Sequence, residues 1–520
     1  MGRSNPSSDL ASPLLIRDGD GAVGLDIAEE EEPLENPFEF LGAPPLSIPP
    51  SKPVDPFRNH TSSIVGVYEW CKIVMLLPVV VLRLALFGVA LAIGYLVTRV
   101  ALAGWKDKES PMPKWRCRIM WVTRICARCI LFSFGYHWIK RIGRPASREL
   151  APIVVSNHIS YIEPIYFFYE LFPTIVASES HDSIPFVGMI IRAMQVIYVD
   201  RFSVASRKYA VNEIKRKASC NSFPRVLLCP EGTTSNGRFL ISFQLGAFLP
   251  GYAVQPIVVR YPYVHFDQSW GNISLMKLMF RMFTQFHNFM EVQYLPVVAP
   301  LETKHHNAVQ FAERTSYAMG CALNVLQTSH SYGDLMILTR ATELGKDNCP
   351  NYMVEIAQVE SSFNISTSEA MEILNQFFAM KPDSNGRVGM HDFLVAYGLQ
   401  PTPLCMKIFC YFDLEKQGSI TFRQFLIGVA HLRKQPSFCR ACETIFNRWS
   451  NLATCQISKR ELGEILPSTL LCINDETVNK LFRILDVDND GTISRDDFII
   501  CLRKYPFLLA LFAESSLTII

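Results

Sequence analysis

An excess of charge of either sign is what this chain lacks first. Its 520 residues carry 50 Lys and Arg against 48 Asp and Glu, a formal net charge of +2, so charge gives no ground for a nucleic-acid partner. The first 60 residues lack the basic stretch and early apolar core of a secretory signal. They are polar, rich in proline and acidic, with Glu29, Glu30, Glu31 and Glu32 in a row. Such a composition cannot bury a core, so residues 1–63 are expected to be a disordered acidic, Pro-rich N-terminus. Gly2 invites an N-terminal lipid, but Pro6 stands where that motif needs Ser or Thr. The 15 cysteines are odd in number and scattered. They form no compact framework and read as reduced thiols facing the cytosol. The Cys126/Cys129 and Cys439/Cys442 pairs lie too far apart in the chain to suggest a shared zinc site. No Gly-x-Ser-x-Gly turn surrounds Ser156 or Ser160, which read as structural.

What the chain has in quantity is apolar sequence, 49% of all residues. The longest run, 64–104, is long enough to cross a bilayer, for which about 20 apolar residues suffice. Pro78 and Arg83 interrupt it, and Trp70 and Trp105 flank it. Two geometries follow: a single transmembrane helix from about Leu84 onward, or a re-entrant hairpin turning near Pro78–Arg83 with both ends cytosolic. Residues 115–140 alternate Arg116, Arg118, Arg124 and Arg128 with large apolar residues. That pattern predicts a basic amphipathic helix lying on the membrane interface.

From 150 to 300, short apolar runs such as Ile153–Ser156, Val196–Val199 and Val226–Cys229 alternate with helix-length stretches, which predicts an α/β domain. Residues 301–360 read as a helical connector. Residues 361–505 hold four helix–loop–helix units whose loops recur about every 32–37 residues. An apolar tail, 506–520, closes the chain.

One segment carries candidate chemistry. Asn157-His158 follows directly on an apolar strand, and Glu163 stands five positions after the histidine. Acyl transfer to a hydroxyl needs a general base near neutral pKa, and a carboxylate on the far ring nitrogen would fix its tautomer. Two further strands end in polar residues, at Asp200-Arg201 and at Pro230-Glu231-Gly232-Thr233, and a fourth block holds Pro256 in the apolar run Gln255–Val259. Ligand sites in α/β sheets collect outside the carboxyl ends of strands. The Lys215-Arg216-Lys217 run could meet phosphates or anionic lipid, or form a solvated helix face.

These four blocks, in this order, resemble the glycerolipid acyltransferase family. With the C-terminal repeats they are similar in particular to the plant-type lysophosphatidylethanolamine acyltransferases with EF-hands. The resemblance implies an α/β acyltransferase domain, with an N-terminal membrane helix or hairpin and an all-α EF-hand domain at the C-terminus. It implies His158 as base, with Glu163 in place of the usual Asp, and Arg201, Glu231, Gly232 and Thr233 holding the acceptor. Gln195 stands where many relatives have Gly. The implied reaction moves an acyl group from acyl-CoA, as co-substrate, to a lysophospholipid, without a catalytic cofactor. Lysophosphatidic acid or glycerol-3-phosphate acylation, or a calcium-responsive adaptor with an idle domain, are the alternatives. The partners implied are membrane lipids rather than a specific protein. The expected location is the endoplasmic reticulum or another endomembrane, with both domains cytosolic.

The last repeat carries a cation loop. Asp486, Asp488, Asp490, the Thr492 carbonyl and Asp497 fall at positions 1, 3, 5, 7 and 12, with Gly491 at the turn. Asp rather than Glu at position 12 weakens Ca²⁺ or favours the smaller Mg²⁺. The other three loops have lost ligands: Lys381 opens the first, Gln424 closes the second, and Cys455 replaces the glycine of the third. They are expected to serve as structural pairing partners.

Overall fold

The computed structural model describes residues 36–51, 54–105, 109–271, 273–301, 307–346, 349–451, 454–466 and 475–513. Residues 1–35 of the expected disordered segment and 514–520 of the tail lie outside the described residues.

The apolar run forms one continuous helix, α1 (Val67–Leu102), with Pro78 inside it. A helix of this length spans about 54 Å. No reversal occurs at Pro78–Arg83, which corrects the hairpin expectation at that point. Arg83 instead reaches out of the helix to the backbone: Nη1 donates to Phe283 O (2.8 Å) and Nη2 to Phe286 O (3.0 Å). A charge within an apolar run is thus met by carbonyls of the α/β domain, and the helix has no need to break. The chain does reverse further on, into α2 (Lys114–Ser133), which packs along α1. Thr98 Oγ1 lies 3.2 Å from Thr123 Oγ1, and a Cβ on Gly94 would come 3.4 Å from Cys126 Cβ. Small residues at the crossing allow this close approach.

α2 is amphipathic in the sense opposite to the one expected. Three of its four arginines face inward and satisfy carbonyls at chain reversals. Arg116 binds Ala101 O and Ala103 O, Arg124 binds Tyr169 O and Glu170 O, and Arg128 binds Tyr136 O and His137 O. The last carbonyls of a helix have no intrahelical donors, and a guanidinium fork supplies them. Trp115, Trp121, Val122, Ile125 and Phe132 are left exposed on the outer face. α1 and α2 together therefore present an apolar surface, with Arg118 the exposed arginine of the four.

Seven strands of the described residues form the central sheet, in the order β1-β8-β7-β2-β5-β3-β4. They are β1 (Lys140–Ile142), β2 (Ile153–Ser156), β3 (Thr174–Ala177), β4 (Ile197–Tyr198), β5 (Val226–Leu228), β7 (Val254–Arg260) and β8 (Glu291–Tyr294), while β6 (Phe239–Leu240) pairs elsewhere. β7, β2, β5, β3 and β4 run parallel, so their carboxyl ends share one edge. β2 and β5 are wholly buried, as expected of strands covered on both faces. α3 (Ile162–Glu170), α4 (Val187–Ala193), α5 (Val204–Ser219), α6 (Leu275–Phe283) and α7 (Ala308–Leu323) surround the sheet or cross between its strands.

The connector is helical, with α8 (Tyr332–Glu343) and α9 (Ile356–Phe363) leading into four helix–loop–helix units. These are α10 (Thr367–Ala379) with α11 (Met390–Tyr397), α12 (Pro403–Phe412) with α13 (Phe422–Lys434), α14 (Phe438–Trp449) with α15 (Lys459–Ile465), and α16 (Asp475–Leu485) with α17 (Arg495–Lys504). The loops pair two by two. Val388 faces Ile420 in one short antiparallel ladder, and Ile457 bridges Ile493 in the other. Cys455 adopts φ +52°, so the third loop keeps its turn without glycine, at a local cost of about 1–2 kcal/mol.

One expectation, at the start of the chain, is corrected. Residues 36–51 are not free. Phe38, Leu41 and Leu46 are buried in the EF-hand core, and Phe38 packs edge-on to Tyr411. Arg423 Nη1 donates to Pro49 O (2.8 Å). Further on, the Asn59 amide is 1% exposed and donates to Asp267 O and Ser269 O. A polar, Pro-rich strand can be ordered when a few aromatic anchors find pockets in domains that already have cores. Residues 506–513 of the apolar tail pack into the same core: Phe507 lies between the rings of Phe393, Phe412 and Phe425.

Candidate active site

Each candidate side chain sits where a parallel strand ends. β2 stops at Ser156, and Asn157 locks that end to β7: its Nδ2 donates to Val259 O (3.0 Å) and its Oδ1 accepts from Val259 N (2.8 Å). His158 follows on the turn. Glu163 falls in the first turn of α3, where the helix dipole favours a carboxylate. Five residues therefore span from strand end to helix start, which brings the two side chains together. His158 Nδ1 lies 3.1 Å from Glu163 Oε2. The histidine is partly open, with 21% of its side chain exposed, and the glutamate is fully buried. Glu163 Oε1 also accepts from Ile159 N (3.1 Å) and Ser160 N (3.0 Å). The extra methylene relative to aspartate is thus taken up by reaching back over the start of the helix. With Nδ1 engaged, the Nε2 edge of the ring is the one left to face a substrate.

The Pro-Glu-Gly-Thr block clamps the histidine's backbone. Glu231 Oε1 accepts from His158 N (2.9 Å), and Ser235 N donates to His158 O (2.7 Å). Glu231 is completely buried. This corrects its expected role as a direct acceptor contact, because no face of its carboxylate reaches the surface. Burial lifts its pKa to about 7, opposed by the His158 N–H. Gly232 makes the turn at φ +73°, and Gly232 and Thr233 remain partly exposed. Just before this block, burial pushes the Cys229 thiol far up, reinforced by Glu163 and Glu231 and opposed by Arg201. The thiol is kept protonated and is no nucleophile.

Arg201 follows β4, with its guanidinium 4.5 Å from the centre of the Tyr332 ring. Gln195, before that strand, adopts φ +55°, a conformation that glycine takes without strain. The Lys215–Lys217 run is not a free basic patch. Arg216 pairs with Glu213 at 2.8 Å, and buried Lys217 donates to Gln195 O (2.6 Å). Sequence reasoning also missed Asn236. Its amide donates to Asp55 O (2.9 Å) and Arg58 O (3.2 Å), tying the N-terminal strand to the loop beneath His158. The apolar residues flanking that strand were the available signal, but they have no period.

In the fourth loop, carboxylate oxygens of Asp486, Asp488 and Asp490 lie within 4.8 Å of one another. The Asp490 N–H favours ionised Asp488, yet burial and the neighbouring carboxylates Asp490, Asp497 and Asp486 outweigh it and push that carboxyl up. Gly491 turns at φ +88°. This donor set fits a hard divalent cation. Asp497, expected as the twelfth-position ligand, lies in the first turn of α17, where its Oδ2 accepts from Ser494 N (3.0 Å).

The sheet, the His–Glu pair at its carboxyl edge and the apolar helices beside it define the class: an acyltransferase. The acyltransferase family model matches residues 141–260, and the EF-hand domain pair matches 454–505. The chain is 60% identical to the lysophospholipid acyltransferase LPEAT2 of Arabidopsis thaliana, over 92% of this chain and 89% of that protein. It is 30% identical to a lysophosphatidylcholine acyltransferase of Drosophila melanogaster, over 77% of this chain and 76% of that one. A solved structure, the 1-acyl-sn-glycerophosphate acyltransferase PlsC of Thermotoga maritima, aligns with 49% of this chain and 96% of its own, at 15% identity and a TM-score of 0.36. The chain belongs to the lysophospholipid acyltransferase family.

Proposed function

We propose that this enzyme transfers the acyl group of acyl-CoA to the free hydroxyl of a lysophospholipid, most readily lysophosphatidylethanolamine or lysophosphatidylcholine. The observation that carries the reading is the 3.1 Å contact of His158 Nδ1 with buried Glu163, which leaves Nε2 to act as base. Nε2 takes the hydroxyl proton as the oxygen attacks the thioester carbonyl. The ester bond forms, the C–S bond breaks, and the imidazolium returns its proton to the departing CoA thiolate. Glu163 stabilises the imidazolium, as a carboxylate does in triads. No acyl-enzyme is needed. Arg201 meets the phosphate of the acceptor, with Gly232 and Thr233 lining the approach.

The apolar faces of α1 and α2 support a membrane location, and reduced cysteines fit catalytic and EF-hand domains on the cytosolic side of an endomembrane. Asp486, Asp488, Asp490 and the Thr492 carbonyl would hold Ca²⁺ or Mg²⁺, which would relieve the repulsion among these carboxylates. The test is transfer from labelled acyl-CoA in membranes containing wild type or His158→Ala, with lysophospholipids of different head groups. Transfer that is lost in the variant at equal protein level names the acceptor; equal background in both would falsify the reading.

A further inference from the structure

Arg201 is placed in an unusual way for a side chain meant to grip an anion. Among the described residues no carboxylate pairs with its guanidinium, and its own backbone carbonyl is taken by Arg207 Nη1 (2.7 Å). What holds it is a ring face: the guanidinium carbon lies 4.5 Å from the centroid of Tyr332, with Phe202 flanking that ring at 6.2 Å. An ion pair would consume the N–H edges of the fork. Stacking on a π face orients the plane and leaves those edges free for a phosphate.

Tyr332 comes from outside the α/β domain. It is the first residue of α8, whose Ile337 and Ala341 are buried in the EF-hand core. Its position is fixed from both sides. Upstream, Thr328 N donates to Leu240 O and Ser242 N to His330 O, both at 2.9 Å, which stitches the connector to the chain just beyond the Pro-Glu-Gly-Thr loop. Downstream, Asp334 is fully buried and accepts from the backbone of Ser331, Val354, Glu355 and Ile356 at 2.9–3.0 Å. Gly333 has no room for a side chain, since a Cβ would come 2.7 Å from Ile356 Cγ2. Glu355 in turn meets Arg423 of α13 at 3.5 Å.

We propose that Tyr332 is a positioning residue for acceptor recognition. The connector that carries the EF-hand domain supplies the ring that holds Arg201 flat and open-edged toward the acceptor's phosphate. The inference rests on the reading of Arg201 as the phosphate contact. It makes the acceptor site a joint product of two domains, completed by a side chain beyond the matched segment 141–260.

The test uses the full chain in membranes, with KM measured separately for lysophospholipid and for acyl-CoA. Tyr332→Leu is expected to raise the lysophospholipid KM about 3–10-fold, with kcat and the acyl-CoA KM within about twofold of wild type. Tyr332→Phe and Tyr332→Trp, which keep a π face, are expected to match wild type. They carry the test if the leucine variant does not accumulate: a rise in lysophospholipid KM with either would count against the stacking. Arg201→Ala should raise the lysophospholipid KM further, and Tyr332→Leu should add nothing on that background. If Arg201→Ala raises that KM but Tyr332→Leu does not, the inference falls alone. If Arg201→Ala leaves that KM unmoved, the phosphate reading and the inference fall together. Equal rises in both KM values for Tyr332→Leu would mark general disruption and overturn the positioning role.

Discussion

In the α/β half, Glu163 and Glu231 are fully buried; Glu163 accepts from Ile159 N and Ser160 N, and Glu231 from His158 N. In the EF-hand half, Asp488 and Asp490 are exposed, and their oxygens crowd one another and Asp486. Glu163 is finished, with donors on both oxygens, whereas Asp486, Asp488 and Asp490 accept backbone N–H groups and still face one another unneutralised. Buried carboxylates with donors in place form a preorganised frame that needs no reorganisation as charge develops. Exposed carboxylates that repel one another store an interaction that only a cation completes. The comparison teaches where regulation can enter: through the region whose electrostatics are still open.

The contrast can be broken from the finished side first. His158→Ala is expected to lower transfer by about 10³-fold, within the range for a general base, while the thermal midpoint stays close to wild type. Glu163→Gln keeps the size of the side chain but turns one acceptor into a donor facing N–H groups. We expect a loss in kcat on the order of 10²-fold with little change in either KM; a loss confined to KM would remove Glu163 from the catalytic frame. Phe38→Ala tests the strand that joins the halves. It should cost about 3–5 kcal/mol of EF-hand stability, read as an earlier denaturant midpoint for that domain.

Glu231 gives a pH signature. Its folded pKa of about 7 lies above its ordinary 4.5, so the folded chain binds more protons than the unfolded one. Its contribution is fully present below about pH 4.5 and is lost as pH rises through about 7. Glu231→Gln should therefore flatten the fall in stability over that window, by roughly 3 kcal/mol. An unchanged slope would mean that Glu231 does not titrate there. The smallest effect belongs to the unfinished side. Millimolar Ca²⁺ should raise the wild-type thermal midpoint by about 2–5 °C. Asp486→Ala should lose that rise with transfer in chelator unchanged, and an equal rise in both would place the cation elsewhere.

Much of this was legible in the sequence because short motifs carry their own geometry. Five residues from His158 to Glu163 after an apolar strand specify a strand–turn–helix that closes the pair. Alternate aspartates before Gly491 specify a loop. Glu231 was misread because a motif names residues that a site needs without saying which face substrate and which brace a neighbour. The arginines of α2 were misread for a related reason: an amphipathic pattern shows that a helix has two faces but not which one points inward. The N-terminal strand was hidden because Phe38, Leu41, Leu46 and Phe57 are spaced without period in a Pro-rich stretch. Tyr332 had no motif at all. Its place depends on contacts from Leu240, Ile356 and Arg423, which no local window contains.

The N-terminal strand also sets an order of events during synthesis. Asn59 is bound by residues 208 and 210 positions later, and Leu41 by Ser437, 396 positions later. At about 5–20 residues per second, the first partner emerges roughly 10–40 s after Asn59, and the second roughly 20–80 s after Leu41. α1 leaves the ribosome well before either, so membrane engagement precedes closure of the strand. The loop beneath His158 acquires its outer brace only when 54–61 docks, and Phe38 can join the EF-hand core only after Tyr411 has been made. A ribosome paused between these points would expose an anchored but unlatched acyltransferase domain, the state in which holding chaperones have most to bind.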